Sequence, residues 1–283
     1  MKLADILLYL DSYPDPTPPE AIEQAARFAK AVGGRLSALA VHVDLMAPRH
    51  WLADRLIGLG SMCAEEEGKS LAACTAAIDA FNEASARHGV QGEAELAKTE
   101  LLLVGRQVAA RARTRDLCLL PMVNPLDAQQ ARSVAEAVIF GSGRPVLLFR
   151  PGIAGLPDRF ENVVLAWDGS RASARAMADA LPLLVKARLV RVLTVLNEKP
   201  DATAGLGTDA VRHLRLHGVE AIADEVDAGG RRIGQVIGDY CMAQRTDLLA
   251  MGVYGRSRAS EFVFGGATGY MLADPKLPLL LSR

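Results

Sequence analysis

Aromatic residues are scarce in this chain: 5% of its 283 residues are Phe, Trp or Tyr, and only two of them are Trp. Stacking platforms for single-stranded nucleic acid are built from such rings, so that class of partner is not expected. There is also no excess of one charge to attract nucleic acid or an anionic membrane. The 32 Lys and Arg residues stand against 33 Asp and Glu, a formal net charge of −1. No apolar run approaches the roughly 20 residues that span a bilayer. The run over residues 3–10 is broken by Asp5, ended by Asp11 and followed by no small-residue cleavage pattern. Neither a signal peptide nor a membrane segment is therefore expected, and the predicted location is cytoplasmic. The four cysteines, Cys63, Cys74, Cys118 and Cys241, are scattered through apolar segments, which suits buried reduced thiols better than disulfides. Two common nucleotide signatures are missing. The first strand-like runs end in Asp11-Ser12 and Asp168-Gly169 instead of Gly-x-Gly-x-x-Gly. No Gly-x4-Gly-Lys-Ser/Thr loop occurs, and no lysine lies between Met251 and Asp274 to reach phosphates.

Half of the residues are hydrophobic and 23% are charged, the balance of one or two globular domains. Residues 6–10 read as a buried strand, and 36–43, 93–97, 117–120 and 145–149 as further strands. Helices fall between them. One starts at Pro18-Pro19-Glu20 and ends at Gly33-Gly34; others cover residues 64–88, 103–113 and 131–140. The long helix is expected to bury Leu71, Cys74, Ile78 and Phe81. Strands alternating with helices imply an α/β fold with a mainly parallel sheet.

After a Pro/Gly-rich stretch at 151–157 the pattern starts again. Residues 163–167 end at Asp168 as 6–10 end at Asp11. Ser170 is placed to cap a helix with Met177, Leu181, Leu184 and Val185 on its apolar face and a kink at Pro182. The offset between matched positions is 157 at Asp11/Asp168, 153 at Leu36/Leu189, 129 at His88/His217 and 131 at Asp116/Asp247. The second half is therefore shortened between its second and third strands, where the first carries the insert 45–60 and the long helix. Two tandem α/β domains are predicted, 1–150 and 158–283, each with a five-stranded, mainly parallel sheet.

The most informative stretch lies near the C-terminus. The strand-like residues 248–251 open into Gly252-x2-Gly255, and nine residues later Gly265-Gly266-Ala267-Thr268 leads into a helical segment. Glycine lets backbone approach a ligand closely, and the N–H groups of a helix start attract anions. The arrangement suits a phosphate cradle, or a glycine-rich connection with no ligand. Carried back by the repeat offset, Gly252 falls on Pro121, Gly255 on Asn124 and Gly265 near Ser133, so the first half lacks the cradle.

These features resemble the universal stress protein family, whose pattern is Gly-x2-Gly-x9-Gly-Ser/Thr with an aspartate closing the first strand. Gly252, Gly255, Gly265 and Asp168 match it, and the resemblance runs along the whole chain. It implies two Rossmann-like units packed as a pseudo-dimer, a further homodimer being possible, and a cytoplasmic role in stress response. It also implies ATP or another adenine nucleotide as cofactor, with or without magnesium. Asp168 and the backbone at Ala166 would meet adenosine, and Val195 would offer a backbone contact to adenine. Met251, Gly252 and Gly255 would line the ribose and α-phosphate, and Gly265, Gly266, Ala267 and Thr268 the outer phosphates. Gly266 stands where the family has Ser or Thr, which removes one hydroxyl donor. No general base or nucleophile accompanies the cradle, so at most slow ATP hydrolysis is expected. The alternative is a scaffold that acts through protein partners without nucleotide.

Other motifs read as structural. His213 and His217, four apart with no Glu arranged as in His-Glu-x-x-His, suit an exposed helical pair better than a zinc site. Arg231-Arg232 and the arginines at 111–115 suit solvated helix ends. The tryptophan-bearing stretch 51–59 can be a cover, a lid or a partner surface.

Overall fold

A computed structural model describes residues 2–45, 59–123, 129–197, 204–253, 255–258, 261–264 and 266–283. Most of the insert, Asn124 and Gly265 lie outside them. The first half contributes β1 (Asp5–Leu10), α1 (Pro19–Val32), β2 (Arg35–Asp44), α2 (Leu59–His88), β3 (Ala94–Glu100), α3 (Val104–Ala112), β4 (Leu117–Pro121), α4 (Gln129–Ser142) and β5 (Val146–Phe149). The second contributes β6 (Asn162–Ala166), α5 (Arg171–Leu184), β7 (Leu189–Leu196), α6 (Thr208–Leu216), β8 (Ala221–Asp227), α7 (Ile233–Ala243) and β9 (Leu248–Gly252). It continues with β10 (Gly255–Arg258), β11 (Glu261–Phe264), α8 (Gly266–Ala273) and β12 (Leu279–Ser282).

Ten strands form one sheet in the order β3-β2-β1-β4-β5-β12-β9-β6-β7-β8. The two ends of that order mirror each other. Each half keeps its neighbours parallel, and the halves meet through the antiparallel pair β5–β12, with Leu147 opposite Leu280. The expected pair of five-stranded units is thus one continuous sheet. Because both faces of a parallel sheet are covered, its central strands are apolar in nearly every position, whereas the edge strands β3 and β8 carry charged residues. Along β1, Ile6, Leu8 and Leu10 enter one core layer, under α1, α2, α5 and α6. Leu7 and Tyr9 enter the other, under α3, α4, α7 and α8. Both layers cross from one half to the other.

The Pro/Gly-rich segment is pinned to α1. Leu156 N–H donates to Gln24 Oε1 at 2.8 Å, and Arg27 pairs with Asp158 at 3.1 Å. The rings of Phe28 and Phe160 lie 6.0 Å apart. Helix boundaries follow their local signals. Gly33 ends α1 at φ 75°, and the Ser170 hydroxyl caps α5 by accepting from Ser173 N–H at 3.1 Å. The helix runs through Pro182 to Leu184. All four cysteines are free thiols; Cys63 is half-buried and the other three are buried. No helix among the described residues is long and apolar enough to cross a membrane.

One expectation fails on α2. Leu71 is exposed, and Ser70 takes the inward position. The Ser70 hydroxyl lies 2.7 Å from that of Ser12 and accepts from Val43 N–H at 3.0 Å, so hydrogen bonds rather than apolar area choose the face.

The repeat also preserves one polar device. Asp116 accepts from the backbone N–H of Ala4 at 2.8 Å and Asp5 at 3.0 Å. In the second half, Asp247 accepts from Glu161 at 2.7 Å and Asn162 at 3.1 Å. Each ties the start of one strand to its neighbour. Alanine at either position strands two N–H donors and is expected to cost about 2–3 kcal/mol, seen as a lower urea midpoint. Wild-type midpoints in both variants would show that these bonds do not hold the strands in register.

Candidate functional site

Parallel pairing brings the carboxyl ends of β6, β7 and β9 to one edge of the sheet. Ala166 lies opposite Met251 on one side and Leu193 on the other. The chain goes from β6 to β7 on one side and returns to β9 on the other, so the strand order reverses at β6. Such a reversal leaves a crevice beyond the strand ends, where ligands of open α/β sheets bind. Asp168 follows the end of β6, and Gly252 is the last residue of β9.

Asp168 Oδ1 accepts from Ser170 N–H at 3.2 Å, which shapes the turn into α5, while Gly169 takes φ 70°. Neither α5 nor α8 carries an acidic residue in its first turn; at α5 the Asp168 carboxylate, just before the cap, is the acidic group beside the positive end of the helix dipole. Val195 and Met251 are buried in the core layer against which Ala267 packs. Thr268 is buried as well, whereas Gly266 is exposed.

The glycines have different reasons to be glycine. A Cβ on Gly252 would lie 2.3 Å from the carbonyl carbon of Ala172 and 2.6 Å from Ser173 N, so the end of β9 passes directly beneath the first turn of α5. A Cβ on Gly266 would meet no atom of the described residues within 4 Å. Gly255 opens a hairpin, opposite Phe264, within the stretch that the sequence offered as a phosphate cradle or a glycine-rich connection. Gly265 lies outside the described residues. The structure therefore brings Ala166, Asp168, Met251 and Gly252 to one edge, with Val195 and α8 beside the same core layer. Gly252 fits a packing role and Gly266 leaves room for a ligand or a side chain.

Sequence reasoning gave no role to Trp167 or Leu206. Trp167 Nε1 donates to Leu206 O at 3.1 Å, and the Leu206 side chain would be 3.2 Å from a Cβ on Gly169. Gly205 N–H is held by Glu225 Oε1 at 2.5 Å. These contacts lay residues 204–207 over the turn after β6. An indole beside Asp168 was the only signal in the sequence.

The first half treats the equivalent crevice differently. Ser12 donates to Val41 O at 2.5 Å and meets Ser70 of α2, which stitches that helix onto the ends of β1 and β2. Asp11 N–H donates to Thr17 Oγ1 at 2.8 Å, and Asp11 Oδ1 accepts from Tyr13 N–H at 3.3 Å. Burial pushes the Asp11 carboxyl up to about 6.

No protein-family model matches the chain, and no curated protein matches it in sequence. Solved structures do. A universal stress protein from Archaeoglobus fulgidus superposes with a TM-score of 0.67, over 100% of this chain and 97% of that one, at 15% identity. The chain has the universal stress protein fold. A functionally unknown protein from Pseudomonas aeruginosa PAO1 aligns at 15% identity over 99% of this chain and 93% of its own, with a TM-score of 0.53. A protein from strain UCBPP-PA14, provisionally assigned as a universal stress protein, gives the same values. At such identity the fold is what is shared with these proteins.

Proposed function

We propose that this chain is a cytoplasmic universal stress protein of two domains, 1–150 and 158–283, whose second domain binds an adenine nucleotide. The two domains act as a pseudo-dimer across β5–β12. The ligand has a regulatory or structural role. The asymmetry of the two crevices carries the reading: α2 is laced over the first through Ser12 and Ser70, while the second has Asp168, an open Gly266 and the start of α8. Adenosine then lies against Ala166, Asp168 and Val195, and the phosphates lie along Gly255, Gly265, Gly266, Ala267 and Thr268. Met251 and Gly252 form the floor between them. Magnesium accompanies the phosphates if the ligand is ATP.

ATP with magnesium is expected to raise the thermal midpoint, since a ligand at a hundred times its Kd adds about 2.7 kcal/mol. Gly255→Asp or Gly265→Asp should abolish the shift and Asn124→Asp should spare it. Gly266→Ser should strengthen binding about ten- to a hundred-fold, because it returns a donor worth about 1.5–3 kcal/mol to a charged oxygen at a position with space for it. Phosphate release should stay at background. A shift that survives both aspartate variants overturns the placement.

Gly266 itself favours a second reading, a stress-response scaffold that acts through protein partners, because it lacks the family's hydroxyl. No nucleotide in the denatured protein by mass spectrometry, and no shift with ATP, ADP or AMP, would select it.

A further inference from the structure

The edge of the second half opposite β12 carries a pair of imidazoles that the nucleotide reading does not use. Helix α6 buries Ala210, Val211 and Leu214 and turns His213 outward. His217 closes the helix at φ −92°, ψ 9°, with its N–H on Leu214 O at 3.0 Å. Both side chains are exposed, and their ring centroids are 4.7 Å apart with the planes at 66°. Neither ring enters an ion pair or hydrogen bond with the described residues.

That separation is what a chelate needs. A zinc–imidazole bond of about 2.0–2.1 Å places the metal roughly 3.2 Å from the ring centre. Two rings at an angle of about 90–110° then have centroids about 4.5–5.2 Å apart. The 4.7 Å separation falls inside this window. The first half has no equivalent. By the repeat offset, Ala84 stands in place of His213, and His88, the partner of His217, is held by Glu23 at 2.6 Å.

We propose that His213 and His217 form a binding site for a divalent transition-metal ion of the zinc, nickel and copper class. The nitrogen ligands exclude magnesium and calcium, which take oxygen. No cluster of three or more His, Cys, Asp or Glu side chains suited to a metal occurs among the described residues, so water fills the remaining positions and the ion exchanges freely. The sequence pattern alone had favoured an exposed helical pair; the ring separation and the absence of competing partners among the described residues change that.

Calorimetric titration of the full chain, thiols reduced, with zinc is the test. One zinc per chain is expected, weakened at least tenfold in His213→Ala and in His217→Ala, and unchanged in His88→Ala and Cys63→Ser. Both rings are exposed, so neither alanine removes core contacts. Nickel should follow the same variants and magnesium should give no heat. Zinc affinity at the parent value in both His213→Ala and His217→Ala, or loss of binding only in Cys63→Ser, overturns the assignment.

Discussion

Gly252→Ala is expected to destabilise the protein by about 3 kcal/mol, as a lower urea midpoint with an unchanged m-value. The added methyl would sit 2.3–2.6 Å from Ala172 C, Ala172 O and Ser173 N, all backbone atoms of the first turn of α5. A side chain in the way could change rotamer; this backbone can only move as a unit. Helix α5 is anchored on the sheet by buried Ala176, Ala180, Leu183 and Leu184, so moving its start disturbs that packing. The Ser170 cap and the turn set by Asp168 lie at the same place and would shift with it. A wild-type midpoint for Gly252→Ala would mean that β9 and α5 do not meet as described.

This result bears on how the glycine motif is tested. A bulky residue at Gly252 weakens the fold whether or not nucleotide binds, so loss of ligand there would prove little. Gly266, where a Cβ would meet no atom of the described residues, is the position at which stability and binding separate. In the sequence the two glycines belong to one spaced pattern. In the structure one serves the packing of a helix on a strand and the other stands at a helix start.

What was legible in the sequence was local. The run of residues 6–10 is buried at every position, so its apolar continuity signalled a doubly covered strand. Gly33 and Ser170 marked helix ends because their roles need only their own backbone and the next turn. The repeat was legible because Asp116 and Asp247 occupy matched positions, although the backbone donors they hold could be found only from the fold. What was illegible depended on distant partners. Ser70 was passed over for Leu71 since nothing near it in sequence announces Ser12, 58 residues away. Trp167 and Leu206 meet across 39 residues, and the hairpin β10–β11 depends on register between segments that also read as a loop. At the candidate site the packing role of Gly252 was equally illegible, because the helix turn that it meets begins at Ala172, far away in the sequence.

Asp11→Asn is expected to stabilise the protein at neutral pH and to leave it unchanged in acid. The Asp11 carboxyl closes β1 in an enclosed position, although the residue as a whole is partly exposed. Tyr9 on the same strand, Asp15 in the following loop and Cys74 on α2 face it or share its surroundings, and none supplies a positive charge. Burial raises the carboxyl from 3.8 to about 6, against the partial relief of the hydrogen bond from Tyr13 N–H. A folded-state pKa above the unfolded one means that the folded chain holds the proton more tightly. The associated stability is fully present below about pH 4 and is lost as pH rises through about 6. A shift of about two units corresponds to about 3 kcal/mol between those limits. Asparagine keeps an oxygen for Tyr13 N–H and carries no charge at any pH, so the variant should gain up to about 3 kcal/mol over the parent at pH 7.5. At pH 4 the gain should vanish. Urea unfolding of both proteins across this range decides the matter, and parallel stability profiles would show that the Asp11 carboxyl is solvated rather than enclosed. In the first half the enclosure comes from α2, which Ser12 and Ser70 lace onto the ends of β1 and β2 beside the aspartate.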